Sequence, residues 1–258
     1  SGNDASVALA EYISGTEETF TQLMNQYAAE LGMVNSNFEN STGLPGENHY
    51  TTAYDLALLS IALIKEFPEI YRLYSIKEYT FNDITQPNRN KLLWRDPSVD
   101  GLKTGHTDEA GYCLATSAIS DAMRLIIVVM GTDSDEARIK ATQSLLNYGY
   151  RFFETRQLYS NGQTVETVKI WKGDSEELNL GLDKRLIITF PRGQFENLKA
   201  TVETNEKIMA PVTKGQTLGT LIITLHGDEQ VRVPLLAMNS VNQGGLFNRL
   251  KDSIKLML

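Results

Sequence analysis

The stretch DGLKTGHTDEAGY, residues 100–112, places four chemically different residues side by side. Lys103 offers an ammonium that can stabilise a nearby anion, and Thr104 offers a hydroxyl that can bind a substrate carboxylate. Gly105 has no Cβ, so a substrate backbone can approach the strand closely, as the addition of a peptide to a sheet edge requires. His106 could act as an acid or a base, although a lone histidine beside a loop is more often a simple hydrogen-bonding residue. The K-T-G triplet alone is weak evidence, because so short a motif arises by chance.

A second triplet, S-G-N, stands at the start of the sequence, before a predicted helix. Ser1 and Asn3 could be helix caps and nothing more, because both residue types are favoured at that position. However, an S-x-N at a helix start, about a hundred residues before a strand with K-T-G, is the arrangement of the penicillin-recognising serine enzymes. Their three motifs are S-x-x-K, S-D-N and K-T-G. The two triplets together are therefore far more specific than either one.

The chain resembles the serine-type D-alanyl-D-alanine carboxypeptidases, the low-molecular-mass penicillin-binding proteins of bacteria, and specifically the group of penicillin-binding protein five. The matching stretches follow the family's order and spacing, and they are SGNDASVALAEYISG, TGLPGENHYTTAYDLALLS, ITQPNRNKLLW, VDGLKTGHTDEAGY and RLIIVVMGTDS. The resemblance implies an α/β (α+β) domain of the penicillin-recognising serine transpeptidase and β-lactamase type. A small all-β domain and a C-terminal amphipathic helix follow in the family, so the match covers essentially the whole chain.

One motif of the family is absent, since no serine in the 258 residues is followed by a lysine three positions later. In the family this S-x-x-K motif precedes S-x-N and carries the nucleophilic serine and its lysine partner. The resemblance implies that the chain is the larger C-terminal part of a complete enzyme. On this expectation, K-T-G is one wall of a site whose nucleophile lies in a segment before Ser1.

The resemblance also implies a reaction, the removal of the terminal D-alanine from a peptidoglycan stem peptide that ends in D-Ala-D-Ala. The family does so through an acyl-serine intermediate, which β-lactam antibiotics mimic and trap. By position, Ser1 would relay a proton to the leaving amine, and Asn3 would bond the substrate amide or the catalytic lysine. Lys103 would polarise the Ser1 hydroxyl. No cofactor and no metal is implied, and the location would be periplasmic, on the outer face of the inner membrane.

The substrate's terminal carboxylate would be bound by Thr104 together with Arg138, which lies at the start of the following predicted helix. Gly105 would admit the substrate backbone, and His106 would shape the same strand end. Without the resemblance, Arg138 is better interpreted as a helix-surface partner of Ser134 or Asp135.

Three other residues have ordinary interpretations. Arg89, in a matching stretch, is expected to form a salt bridge that braces its loop. Asp55 is expected to be a charge in the first turn of a helix, and Cys113 a small core residue of a strand. The three histidines are too scattered to suggest a metal site.

Two other functions compete with the carboxypeptidase. A class A β-lactamase would carry an E-x-x-L-N-type loop, which is absent, and would have no appended β domain. A non-catalytic scaffold or binding module would keep the fold without the nucleophile. The combination of Ser1, Asn3, Lys103 and Thr104 favours the enzyme, because a mere binder has no chemical need for all four.

Periodicity and turn residues predict the elements that must position these groups. Residues 4–31 predict two helices divided at Ser14-Gly15, with Ser14 as the cap of the second. A loop over 35–52, a helix over 53–67 that stops at Pro68, and short strands and loops over 74–95 follow. The runs GYCLATSAI and RLIIVVMG predict paired strands, the second apolar on both faces as a central strand should be. The next helix spans 134–153 with Ser134 as its cap.

The net charge and the residue pattern change near residue 154, where helical periodicity gives way to alternating, β-branched runs. Residues 1–154 hold 11 Lys and Arg against 21 Asp and Glu, a net −10, whereas residues 155–258 hold 13 against 11, a net +2. The predicted domains are therefore 1–154, the carboxypeptidase domain; 155–240, all-β; and 241–258, an amphipathic helix. The overall charge of −8 argues against a nucleic-acid partner.

The last fifteen residues, 244–258, restore helical spacing, with Leu246, Phe247, Leu250, Ile254 and Met257 on one face. A short amphipathic helix with a net charge of +2 can lie in an anionic membrane surface. The alternative is a terminal helix packed on its own domain or on a partner. No run of about 18 apolar residues is present, and the single cysteine excludes an intrachain disulfide.

Overall fold

The computed structural model describes residues 1–205 and 207–257, the last of these by its backbone alone. The chain divides into two compact units, Ser1–Arg151 and a second unit that begins at Phe152. The helices that begin in the first unit are α1 (Asn3–Ser14), α2 (Glu17–Glu30), α3 (Ala53–Glu66), α4 (Pro68–Tyr71), α5 (Leu92–Arg95) and α6 (Asp135–Phe152), with a short 3-10 helix at Arg72–Ser75.

The first two helices are divided where the sequence predicts, but by a different cap. Gly15 ends α1 with a positive φ of 80°, a conformation that glycine adopts without strain. The predicted cap, Ser14, is wrong because Ser14 completes the last turn of α1. Thr16 has extended backbone angles instead, and its side chain accepts a hydrogen bond from the amide of Thr19 at 3.1 Å.

The other predicted helix ends are confirmed. Helix α3 stops at Glu66, and Pro68 begins the short helix α4, where its missing amide hydrogen costs nothing. The Ser134 hydroxyl accepts a hydrogen bond from the amide of Ala137 at 3.1 Å, so Ser134 caps α6 as predicted.

The sheet of the first unit is an antiparallel meander of β3 (Val99–Thr107), β4 (Gly111–Ser120) and β5 (Met123–Thr132). The predicted pairing of β4 with β5 is confirmed. Among the described residues, β4 lies in the middle of this meander and β5 pairs with β4 alone, so the central position predicted for β5 is not seen within them. Helix α3 packs against β5, whose apolar residues are typical of a covered strand.

A buried cluster joins this sheet to its helices. Leu114 of β4 packs with Leu146 of α6 and Leu92 of α5, and each is at most 2% exposed. Burying side chains of this size contributes about 1.5–3 kcal/mol each. Helix α6 is therefore fixed on the sheet that carries the K-T-G triplet.

A small hairpin of β1 (Glu78–Phe81) and β2 (Ile84–Pro87) precedes that sheet. Its tight turn is made by Asn82 and Asp83, both with positive φ, as a type I′ turn requires. Thr80 and Thr85 face each other across the hairpin with their hydroxyl oxygens 2.7 Å apart.

The second unit is built almost entirely from strands. They are β6 (Phe153–Tyr159), β7 (Thr164–Trp171), β8 (Glu177–Gly181), β9 (Leu186–Pro191), β10 (Leu198–Thr204), β11 (Ile208–Met209), β12 (Thr217–Leu225) and β13 (Asp228–Ala237). One sheet has the order β10-β12-β13-β8-β7-β11, and β6 pairs with β9. Phe190, Leu221 and Leu235 are at most 1% exposed and belong to one core, in agreement with the predicted all-β texture.

Helix α7 (Leu246–Met257) ends the described chain. Its polar side is tied to the connection between β7 and β8, because Asp252 accepts a hydrogen bond from the amide of Lys172 at 2.6 Å and Lys251 pairs with Glu176 at 3.2 Å. The apolar side is open, with Leu246 82% and Phe247 91% exposed. The side chain of Met257, which the sequence places on the same face, lies outside the described part of the structure.

Candidate active site

The two triplets found in the sequence meet in the structure. The Lys103 ammonium donates a hydrogen bond to the hydroxyl oxygen of Ser1 at 2.8 Å and another to its neighbour, the carbonyl oxygen of Thr104, at 2.5 Å. The residue that caps α1 is Gly2, and no side chain caps that helix. The alternative interpretation of Ser1 and Asn3 as helix caps is therefore wrong, and the Ser1 hydroxyl is available to the lysine. Asn3 begins α1 and is exposed.

The Lys103 ammonium lies in an environment that disfavours its charge. One side of the residue is open to solvent. On the other side, protein atoms displace water from the ammonium, and the positive charges of Arg89 and Arg138 add to that effect. Desolvation first, and then these two guanidinium groups, lower the pKa of Lys103 below its usual range. A lysine of lowered pKa beside a hydroxyl is suited to proton transfer.

Strand β3 presents these groups at the border of the sheet. Lys103 and Gly105 are exposed, whereas Thr104 between them is only 8% exposed, as the alternation of a strand requires. Within the described residues, β4 is the strand that pairs with β3, on one side only. The other edge, next to Lys103 and Gly105, can accept an extended peptide.

His106 lies at the far end of the same strand and contacts an aromatic ring. It faces Tyr112 of β4 across the ladder, with ring centroids 3.9 Å apart. The guanidinium of Arg138 also lies over the Tyr112 ring, 5.5 Å from its centroid. The structure thus brings His106 and Arg138 to one end of β3 through Tyr112.

Arg138 is 6% exposed, so it is not the helix-surface residue of the simpler interpretation. It does pair with Asp135, as that interpretation expects. It also donates to the carbonyl oxygens of Gly105 at 3.1 Å and Cys113 at 3.2 Å. Arg138 therefore binds both strands directly behind the K-T-G triplet.

Arg89 has surroundings that differ from those expected from the sequence. Among the described residues it forms no ion pair, so the predicted loop-bracing salt bridge is wrong. It lines a cleft of roughly 970 Å³ together with Ser1, Lys103 and the hairpin of β1 and β2. The stretch ITQPNRN could have predicted this position, because its arginine directly follows the hairpin that lines the cleft.

Two other predicted residues have structural roles. Asp55 lies in the first turn of α3 as predicted, but it is fully buried and accepts hydrogen bonds from the Asn35 amide at 2.9 Å and the Ser36 hydroxyl at 2.6 Å. Cys113 lies on β4 as predicted, but it is half-buried rather than in the core, with its thiol near the carbonyl of Ala110.

Comparison with known proteins identifies the family of the chain. A family model described as D-alanyl-D-alanine carboxypeptidase matches residues 1–134, and one described as penicillin-binding protein 5, C-terminal domain, matches residues 153–243. The chain is 45% identical to D-alanyl-D-alanine carboxypeptidase DacC of Escherichia coli, over 99% of this chain and 64% of the relative. It thus spans somewhat less than two thirds of that protein's length.

Solved structures give the same result. Penicillin-binding protein 5 from Haemophilus influenzae is 40% identical with a TM-score of 0.84, and the match covers 94% of this chain and 71% of that one. Penicillin-binding protein D2 from Listeria monocytogenes, in its cefotaxime-bound form, is 35% identical with a TM-score of 0.54, over 57% of this chain and 61% of that one. The predicted fold, a penicillin-recognising domain followed by an all-β domain, is confirmed. The chain belongs to the family of the D-alanyl-D-alanine carboxypeptidases.

Proposed function

We propose that the protein removes the terminal D-alanine from peptidoglycan stem peptides by an acyl-serine mechanism and that β-lactams inhibit it. The observation that carries this proposal is the hydrogen bond of 2.8 Å from Lys103 to Ser1, beside an open strand edge. Membership of the family supplies the reaction type.

The nucleophile of this reaction is a serine in an S-x-x-K segment that precedes Ser1 in the complete protein. Two observations support this part of the proposal. None of the serines of the chain is followed by lysine three positions later. The chain also spans 64% of the length of DacC of Escherichia coli.

In the proposed reaction the serine oxygen attacks the carbonyl carbon between the two D-alanines. An ester bond to the enzyme forms as the peptide C–N bond breaks. The serine proton passes to the amine of the departing D-alanine through the Ser1 hydroxyl, which Lys103 polarises. Asn3 bonds the substrate amide or the catalytic lysine. Water then hydrolyses the ester and releases the shortened peptide.

The remaining predicted residues bind the substrate. Thr104 and Arg138 bind the terminal carboxylate, to which the arginine contributes charge. Gly105 lets the substrate backbone pair with the edge of β3. His106 shapes the strand end through its contact with Tyr112. The hydrogen bonds of Arg138 to two strand carbonyls support a second role, which is to hold the triplet in place.

The proposed location is the outer face of the bacterial inner membrane, in the periplasm, with α7 on the membrane surface. Within the described chain, the helices lack the combined length and apolar character that a bilayer crossing needs. The open apolar side of α7 supports surface attachment over packing within its own unit, because Leu246, Phe247, Leu250 and Ile254 are all more than half exposed.

The release of D-alanine tests the proposed function directly. The complete protein should liberate D-alanine from an N-acylated peptide ending in D-Ala-D-Ala, and benzylpenicillin should abolish the release. A complete protein that binds the peptide but releases no D-alanine would instead be the scaffold without catalytic activity.

A further inference from the structure

A network of side chains ties the start of β3 to its neighbours. The Arg124 guanidinium of β5 binds both carboxylate oxygens of Asp100 in β3, with each N–O distance 2.9 Å. It also donates to the hydroxyl oxygen of Ser117 in β4 at 2.5 Å. The Tyr71 hydroxyl of α4 donates to Asp100 at 2.5 Å. Arg124 and Tyr71 therefore meet at Asp100, and Ser117 joins the network through Arg124.

Asp100 lies where the pairing of β3 with β4 is irregular. Val99 and Gly101 pair with consecutive residues of β4, so Asp100 between them has no cross-strand partner of its own. From Gly101 onward the register is regular as far as Thr107. If the bulge were lost while Val99 stayed paired with Ala118, the later residues of β3 would slip by one position along β4, and Lys103 would turn to the opposite face because side chains alternate along a strand. The bulge at Asp100 thus decides which face of the sheet carries Lys103.

The residue after the bulge is held by the same tyrosine. A Cβ on Gly101 would lie 2.9 Å from the Tyr71 hydroxyl oxygen. Any residue other than glycine at this position would therefore require the Tyr71 ring to shift. The side-chain amide of Asn90, which is 1% exposed, donates to the Gly101 carbonyl oxygen at 3.3 Å. Tyr71 therefore contacts β3 at two consecutive residues.

We propose that Tyr71, Asp100 and Arg124 form a positioning unit that fixes the bulge in β3 and thereby holds the Lys103 ammonium against Ser1. The inference rests on the proposed function, in which Lys103 acts on Ser1. The three residues act through the backbone of β3, and they are positioning residues rather than catalytic ones. Burial, and then the hydrogen bond to Asp100, raise the pKa of Tyr71 to about 12, so the phenol remains a donor at neutral pH.

The test uses substitutions that leave the net charge unchanged, Tyr71→Phe and Arg124→Lys, singly and together, in the complete protein. The pKa of Lys103 is measured by carbon-13 NMR of the lysine side chain, which requires no catalysis. The charged groups that face this ammonium, Arg89 and Arg138, are the same in every variant. Tyr54→Phe and Arg72→Lys, at two exposed residues outside the network and outside the lining of the cleft, serve as matched controls.

In the double variant we expect the pKa of Lys103 to rise toward its usual range and acylation by a fluorescent penicillin to slow at least about tenfold. The controls should change neither value. An unchanged Lys103 pKa and acylation rate, with only a lower melting temperature, would reduce the network to a structural role and overturn the proposal. If the unsubstituted protein is not acylated, the proposed function fails, and the NMR result still decides whether the network positions Lys103.

Discussion

The Lys103 ammonium lies 2.8 Å from the Ser1 hydroxyl oxygen, although 102 positions separate the two residues in the chain. The contact joins Ser1, two residues before α1 begins, to β3, which borders the sheet formed by the described residues. A hydroxyl held by a lysine of lowered pKa can receive and pass on a proton, and this is the role that the proposed reaction requires.

Lys103→Ala in the complete protein should lower D-alanine release and penicillin acylation about 100- to 1,000-fold, because the Ser1 hydroxyl loses its charged donor. The melting temperature should change little, since Lys103 is exposed on one side. Lys77→Ala is the matched control, because Lys77 lines the same cleft. Equal activity of the two variants would contradict the assignment of Lys103.

The acylation rate should fall on the alkaline side at a pH below the ordinary lysine pKa of about 10.4. The donor to Ser1 is the protonated ammonium, and its lowered pKa means that it is lost at a lower pH as the pH rises. The Lys103→Arg variant keeps its charge over this pH range, so its residual acylation rate should not fall on the alkaline side. A fall at the same pH in both proteins would show that another group titrates there.

Arg138→Ala should sharply lower D-alanine release, because the substrate carboxylate loses its cation and two strand carbonyls lose their donor. The fold should persist with a free energy of unfolding lower by about 2–4 kcal/mol. Arg95→Ala, which breaks an exposed ion pair with Glu136, should leave both quantities nearly unchanged. Denaturant titration and the D-alanine assay measure the two effects, and full activity of Arg138→Ala would refute its role.

Phe247→Ser combined with Leu250→Ser should remove the protein from vesicles that contain phosphatidylglycerol, because α7 loses two of the four exposed apolar residues on its open side. Deletion of residues 244–258 should move the complete protein out of the membrane fraction. Val34→Ser, at an equally exposed apolar residue of the first unit, is the control. Unchanged sedimentation with vesicles would remove the proposal of surface attachment.

Local signals in the sequence predicted the elements well. Pro68 ends α3, Ser134 caps α6, and β4 pairs with β5, because each of these features depends on residues close together in the sequence. The predicted cap of α2, Ser14, lies two residues before the observed cap, Thr16, and both side chains are suited to capping.

The site required more than local signals. Spacing alone does not bring Ser1 to Lys103, and the resemblance to a known family predicted that contact. The place of Arg89 in the cleft and the network at Asp100 were missed. Both depend on strand order and register, which determine which distant side chains meet and leave no trace in a local pattern.

Intact mass spectrometry of the complete protein, with and without benzylpenicillin and followed by peptide mapping, tests the central claim most directly. The account predicts the mass of one penicillin, bound to the serine of an S-x-x-K peptide that precedes Ser1. Replacing Lys103 by alanine should slow the appearance of this adduct. No adduct on the complete protein, or an adduct on Ser1 itself, would contradict the account.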